Sequence, residues 1–193
     1  LYKNFQLNES FMNNFKSYNF HSLYKELLNF CTVDLSSFYF DIRKDSLYCD
    51  KKDSQKRQDC ILVLNVILDC LLKWFAPILS FTTEEVYKLV NKNLNESIHL
   101  KNFPKIEKNW SNSQIKENWQ KIILIREKVN HSIEKKREEK LIGSSLEASI
   151  KIYLGSKNYH LAKNYDFSEI CITSKAEIIL DEKLNNDINV ETL

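Results

Sequence analysis

Two glycines and two prolines are all that 193 residues contain, and that scarcity limits the fold more than any other feature. Sandwiches, barrels and doubly wound sheets need frequent turns. Glycine and proline supply the backbone conformations those turns require. A chain this poor in both is expected to be built from long helices. Its hydrophobic fraction of 43% is enough for one good core and a small second subdomain.

The apolar spacing supports helices through the first two-thirds of the chain. Phe5, Leu7, Phe11, Met12 and Phe15 recur at helical period over residues 1–17, with a break near Ser17–Asn19. Residues 20–47 predict a strong helix, with Leu23, Leu27, Leu28, Phe30, Cys31, Leu35, Phe38, Tyr39 and Ile42 on a broad face. Residues 49–53 read as a polar connector. Ser54 is placed to cap a third, almost wholly apolar helix, which Pro77 must end or kink. Thr82-Thr-Glu-Glu85 fits a capping box that would restart the helix, running to the Asn-rich stretch 91–95. Residues 96–110 read as an extended segment over the bundle. Ser111-Asn-Ser-Gln114 reads as another capping box, opening a long helix to about Lys140.

After Gly143 the period changes. Ala148, Ile150, Ile152 and Leu154 alternate with polar residues, as a strand requires. Residues 156–165 read as helix and Asp166–Glu169 as one more turn. Ile170 with Ile172, and then Ala176, Ile178 and Leu180, suggest two further short strands. The expected architecture is mainly α: an antiparallel helical bundle over residues 1–141, a small α/β subdomain over 142–180, and a polar tail or linker over 181–193.

Charge and cysteine usage exclude several classes. The net charge is +2, from 28 basic and 26 acidic residues, so nucleic-acid binding would have to rest on a local patch. No stretch is apolar and long enough to span a membrane, and the N-terminus is no signal peptide. The chain opens on Leu1 in mid-pattern and reads as a fragment. Cys31, Cys49, Cys60, Cys70 and Cys171 include no C-x-x-C pair and read as reduced, mostly core thiols of a cytosolic protein.

Few constellations could carry chemistry. Asp34, Asp41 and Asp45 fall at near-helical spacing with Phe38 among them. A bundle metal site also needs ligands such as Glu-x-x-His from other helices, and that motif does not occur here. The four histidines stand far apart, and no glycine-rich phosphate loop exists. Basic residues cluster at Arg43–Lys44, at Lys51, Lys52, Lys56 and Arg57, and at Lys135, Lys136, Arg137 and Lys140. Tyr48 sits between the first two groups. Cations around an exposed aromatic at a helix–helix corner suit RNA phosphates and an unstacked base, although such clusters are also ordinary solvated surface. The third cluster complements the dipole of a helix C-terminus.

The run Asn29-Phe-Cys-Thr-Val-Asp-Leu-Ser-Ser-Phe-Tyr-Phe-Asp41, continuing through Ile-Arg-Lys-Asp-Ser-Leu-Tyr-Cys49, resembles a segment of bacterial isoleucyl-tRNA synthetases. Trp74-Phe-Ala-Pro-Ile-Leu-Ser-Phe-Thr-Thr-Glu-Glu-Val-Tyr87, Ile98-His-Leu with Phe103-Pro104, and Glu139-Lys-Leu-Ile-Gly-Ser-Ser-Leu-Glu-Ala148 resemble three further blocks of that family, in the same order. The resemblance covers roughly residues 18–150. The valine and leucine enzymes share the bundle and part of the proline motif. Two departures are Ser46, where the family usually has arginine, and Tyr87, where it has tryptophan.

The resemblance implies the C-terminal anticodon-binding region of an enzyme that joins isoleucine to its tRNA using ATP and Mg. The family's catalytic HIGH and KMSKS motifs do not occur here, so this segment is expected to be non-catalytic and to hold no cofactor. Many bacterial members carry a zinc site in a C-terminal cysteine cluster, which this chain also lacks. The implied partners are isoleucine tRNA and the catalytic domain of the same polypeptide, with no membrane, in a cytoplasmic monomer. RNA contacts are expected at Arg43, Lys44, Lys51, Lys52 and Arg57 on phosphates and at Tyr48 near a base. Asp34 and Asp41 are expected to be structural. Two other readings are a stand-alone helical interaction scaffold and a metal-dependent helical enzyme using Asp34, Asp41 and Asp45.

Overall fold

The computed structural model describes residues 1–91, 96–184 and 187–193. It divides into two compact units, 1–112 and 113–193.

The first unit is a helical bundle. Helix α1 (Tyr2–Lys16) is followed by α2 (Phe20–Asn29), a π-helical segment (Phe30–Phe40) and α3 (Asp41–Tyr48), then α4 (Gln55–Phe75) and α5 (Ser80–Val90). The turn between α1 and α2 places Tyr18 at φ 57°. From Phe20 to Tyr48 the chain stays helical, as the apolar spacing requires, but its middle is wound more widely. There the Ser37 hydroxyl donates to the Thr32 carbonyl five residues back, at 2.9 Å. Phe11, Leu23, Leu27, Phe30, Leu35, Ile67, Cys70 and Trp74 form the main core. The indole of Trp74 is fully buried, and its Nε1 donates to Asn8 Oδ1 at 3.0 Å.

Ser54 caps α4 as expected, its hydroxyl accepting from the Arg57 amide at 3.3 Å. The helix ends at Phe75, two residues before Pro77. The expected capping box at Thr82–Glu85 does not form, because α5 already begins at Ser80. Thr83 instead turns inward and its hydroxyl donates to the Leu79 carbonyl at 3.0 Å. Glu84 reaches across to the following segment, accepting from Ser97 Oγ at 2.8 Å and from the Ile98 amide at 3.0 Å. These bonds hold a 3-10 turn (Ile98–Leu100) against α5, with Ile98 buried beside Leu72, Ala76 and Tyr87. The Tyr87 hydroxyl donates to Glu96 at 3.2 Å. Farther along the extended segment, Phe103 packs edge-on against Phe11 and Phe15. The last part of the Asn-rich stretch, 92–95, lies outside the described residues.

The second unit joins the long helix to the sheet. Helix α6 (Ser113–Glu138) lays Ile122, Ile125, Val129 and Ile133 against Ile150, Ile152 and Leu154 of β1 (Ser149–Leu154). The boundary therefore falls before this helix and not after residue 141. Ser111 belongs to the turn before α6, following a 3-10 turn at Lys108–Trp110, so it does not occupy the expected capping position. Helices α7 (Ser156–Ala162) and α8 (Phe167–Cys171) form the crossover to β2 (Lys175–Leu180), which pairs parallel to β1. Asp166 caps α8, accepting from the Ser168 and Glu169 amides at 2.9 and 3.3 Å. Ile170 and Ile172 therefore form no strand: the first lies in α8 and the second is its left-handed cap, at φ 56°. The expected tail contains β3 (Ile188–Thr192), antiparallel to β1, giving a sheet of order β2-β1-β3. Arg126 Nε donates to the Ile170 carbonyl at 2.9 Å, and Ser132 and Thr192 share a hydrogen bond of 2.7 Å.

All five cysteines are free, and Cys60, Cys70 and Cys171 are buried. Among the described residues no helix is long and apolar enough to cross a membrane.

Candidate nucleic-acid interface

The corner between α3 and α4 is shaped by one network. Arg57 Nη1 donates to the Asp50 carbonyl at 3.0 Å, and the Ser54 hydroxyl donates to the Asp50 carboxylate at 3.3 Å. The Asp50 amide closes onto the Asp45 carbonyl at 3.2 Å and the Ser54 amide onto Lys51 at 3.0 Å. Arg57 is thus a brace of the loop, held to it through a backbone carbonyl. Asp50 was missed in the sequence, where residues 49–53 read only as a polar connector. Its four-residue spacing from Ser54 was the available signal.

The brace leaves Lys51 and Lys52 exposed at the tip, and among the described residues neither makes an ion pair. They lie just before the N-terminus of α4, a 21-residue helix with no acidic side chain in its first turn. Two cations at the positive end of a helix dipole attract anions, and the amides of that end can donate to them. Tyr48, at the end of α3, is 84% exposed, so its ring is open to stacking.

The other expected contacts are more constrained. Lys44 is exposed but hydrogen-bonds Asp41 at 2.5 Å, and that bond raises the ammonium above its ordinary range. Arg43 is half-buried beside Tyr39. Burial first, and then Cys60, push the Tyr39 hydroxyl up, while Arg43 opposes them. The same stretch holds Asp41, Asp45, Asp50, Asp53 and Asp59, so carboxylates interleave with the cations, and Lys51 and Lys52 are the cations of the loop tip that make no ion pair among the described residues. Ser46 is only 2% exposed. The position where the resembling family has arginine therefore faces inward here and takes nothing from the exposed corner. The Lys135–Lys140 cluster lies in the second unit, where Arg137 pairs with Glu134 at 2.8 Å and Lys136 with Glu139 at 3.8 Å.

Two of the three carboxylates weighed for metal are ion-paired: Asp34 with Lys3 of α1, and Asp41 with Lys44. Among the described residues no group of three His, Cys, Asp or Glu side chains could hold a metal ion.

Residues 1–152, which include the whole bundle, match the family described as the anticodon-binding domain of tRNA ligase. The isoleucine–tRNA ligase of Pelagibacter ubique is 54% identical over 193 residues, covering all of this chain and 21% of that protein. Those of Agrobacterium fabrum and Carboxydothermus hydrogenoformans are each 40% identical, over 92% and 87% of this chain and 18% of theirs. The chain spans about a fifth of the length of the relatives it matches. It belongs to the anticodon-binding domain family of tRNA ligases and is homologous to that region of the isoleucine enzymes.

Proposed function

We propose that these residues dock the anticodon stem-loop of isoleucine tRNA for a cytoplasmic, monomeric ligase that joins isoleucine to that tRNA. The whole polypeptide would use ATP and Mg, both assigned to parts outside these residues, as is any zinc. The family match across the bundle carries the reading. Lys51, Lys52 and Lys44 would meet phosphates, which fix register without reading sequence. Tyr48 would stack on an unpaired base, and Arg57 and Arg43 would hold the corner in shape. The bundle's role is positional: it fixes the stem so that the distant acceptor end reaches the chemistry.

Filter retention of labelled isoleucine tRNA by the 193-residue chain at low salt tests this. Retention that is lost when the anticodon stem-loop is deleted is expected. Equal retention of the truncated tRNA, or none of the intact one, contradicts the reading. A stand-alone scaffold would give none.

A further inference from the structure

Helix α6 carries three lysines in register. Lys121, Lys128 and Lys135 stand seven residues apart within Ser113–Glu138. Seven residues are just under two turns and rise about 10.5 Å, so the three form one row along the helix. Lys128 and Lys135 are exposed and Lys121 is half-buried, and none of them makes an ion pair among the described residues. On an ordinary solvated helix face, lysines are offset by carboxylates three or four residues away. Here Lys128 has Leu124 and Ile125 one turn before it and His131 and Ser132 one turn after it. Glu127 and Glu134 each precede a lysine by one residue and so lie about 100° around the axis. Glu134 is taken by Arg137 at 2.8 Å. Glu117 and Glu138 stand only at the ends of the row, and Glu139, just past it, pairs with Lys136 at 3.8 Å. On β3, whose Thr192 bonds Ser132, Glu191 alternates to the sheet face away from α6 and accepts from Tyr153 at 3.1 Å. The helix dipole accounts for a cation in the last turn, and of the three lysines only Lys135 lies there.

We propose that this row is a second RNA contact, which takes the phosphates of a duplex through charge alone. It rests on the reading that the chain meets tRNA, and adds a surface on the second unit, outside the α3–α4 corner. From Lys121 to Lys135 the positive line is about 21 Å long. One strand of a duplex carries a phosphate about every 3.4 Å along its axis, so each step between lysines spans about three phosphates. Within α6 no exposed Phe, Tyr or Trp accompanies the row, because Trp119 is packed edge-on against Tyr165. The row thus lacks the stacking platform that an unpaired base requires and suits a duplex backbone. An anionic lipid surface would need an apolar side to bury beside the cations. That side of α6, Ile122, Ile125, Val129 and Ile133, is already packed on β1.

Fluorescence anisotropy of the 193-residue chain with a labelled blunt RNA duplex of arbitrary sequence tests the proposal. The row should hold the duplex in the range of non-specific binding, about 10⁻⁴–10⁻⁶ M, too loosely for filter retention. Lys121→Gln, Lys128→Gln and Lys135→Gln together should flatten log K against log salt by about 2.7, at about 0.9 per phosphate contact. Between about 50 and 200 mM salt the unaltered chain should lose about 40-fold more affinity than this variant. Arginine at the same three positions keeps the charge and should keep the slope. An unchanged slope in the glutamine variant overturns the proposal, as does the absence of duplex binding at low salt. Lysine-dependent binding to anionic phospholipid vesicles that exceeds binding to the duplex overturns it too. The two readings fail separately. Filter retention of tRNA that survives deletion of the anticodon stem-loop overturns the docking function and leaves the duplex measurement standing.

Discussion

Reversing Lys51 and Lys52 together, as Lys51→Glu with Lys52→Glu, should weaken tRNA binding and flatten its dependence on salt. The size follows from which cations are uncommitted. Lys44 is held by Asp41 at 2.5 Å and Arg57 by the Asp50 carbonyl at 3.0 Å, so their binding to phosphate would exchange one partner for another. Lys51 and Lys52 have no ion-pair partner among the described residues and would each release a full counterion. Each phosphate contact contributes a slope of about 0.9 in log K against log salt on a duplex stem. Removing two should flatten it by about 1.8. Between about 50 and 200 mM salt the unaltered chain should then lose about tenfold more affinity than the double variant. Lys44→Ala should change the slope by much less than one contact. Fluorescence anisotropy with labelled isoleucine tRNA across a salt series reads both. An unchanged slope in a double variant of unchanged circular dichroism would refute the assignment of the corner.

Three further outcomes follow from packing and burial. Trp74→Ala should cost about 3–5 kcal/mol in denaturant unfolding of the first unit, because it empties a fully buried site and leaves Asn8 without its indole donor. Asp166→Ala should cost about 1 kcal/mol by removing the acceptor that caps α8. Burial pushes the Cys171 thiol from 9.0 up to about 12. The fold thus favours the neutral thiol, and the unfolded chain ionises first. Its contribution is complete below pH 9.0 and is lost as the pH rises toward 12. Cys171→Ala should flatten the alkaline fall of stability, measured by urea midpoints from pH 8 to 11; an identical fall would contradict the assignment.

The bundle was largely legible, because apolar side chains at period 3.6 over residues 20–47 and 54–75 leave few alternatives to helix. Periodicity gives a helix its buried face but does not say what covers it. Ile122, Val129 and Ile133 would look the same packed on helices or on a sheet, so α6 was assigned to the wrong neighbour. The widening at Phe30–Phe40 uses the same side-chain pattern and left no mark in the sequence. β3 was missed although Ile188, Val190 and Thr192 alternate with Asn189 and Glu191, because five residues in a polar tail are a weak signal. At the corner, residue types were readable but partners were not. Nothing in the sequence shows that Arg57 braces a carbonyl or that Arg43 is drawn in beside Tyr39.

Whether the α3–α4 corner meets an anticodon stem is decided by which part of the RNA lies against position 48. Photo-crosslinking from position 48, with a benzophenone amino acid in place of Tyr48, tests it most directly. Crosslinks to isoleucine tRNA should map to the anticodon stem-loop and fade as Lys51 and Lys52 are reversed. Crosslinks confined to the acceptor arm, or none at low salt, would contradict the account.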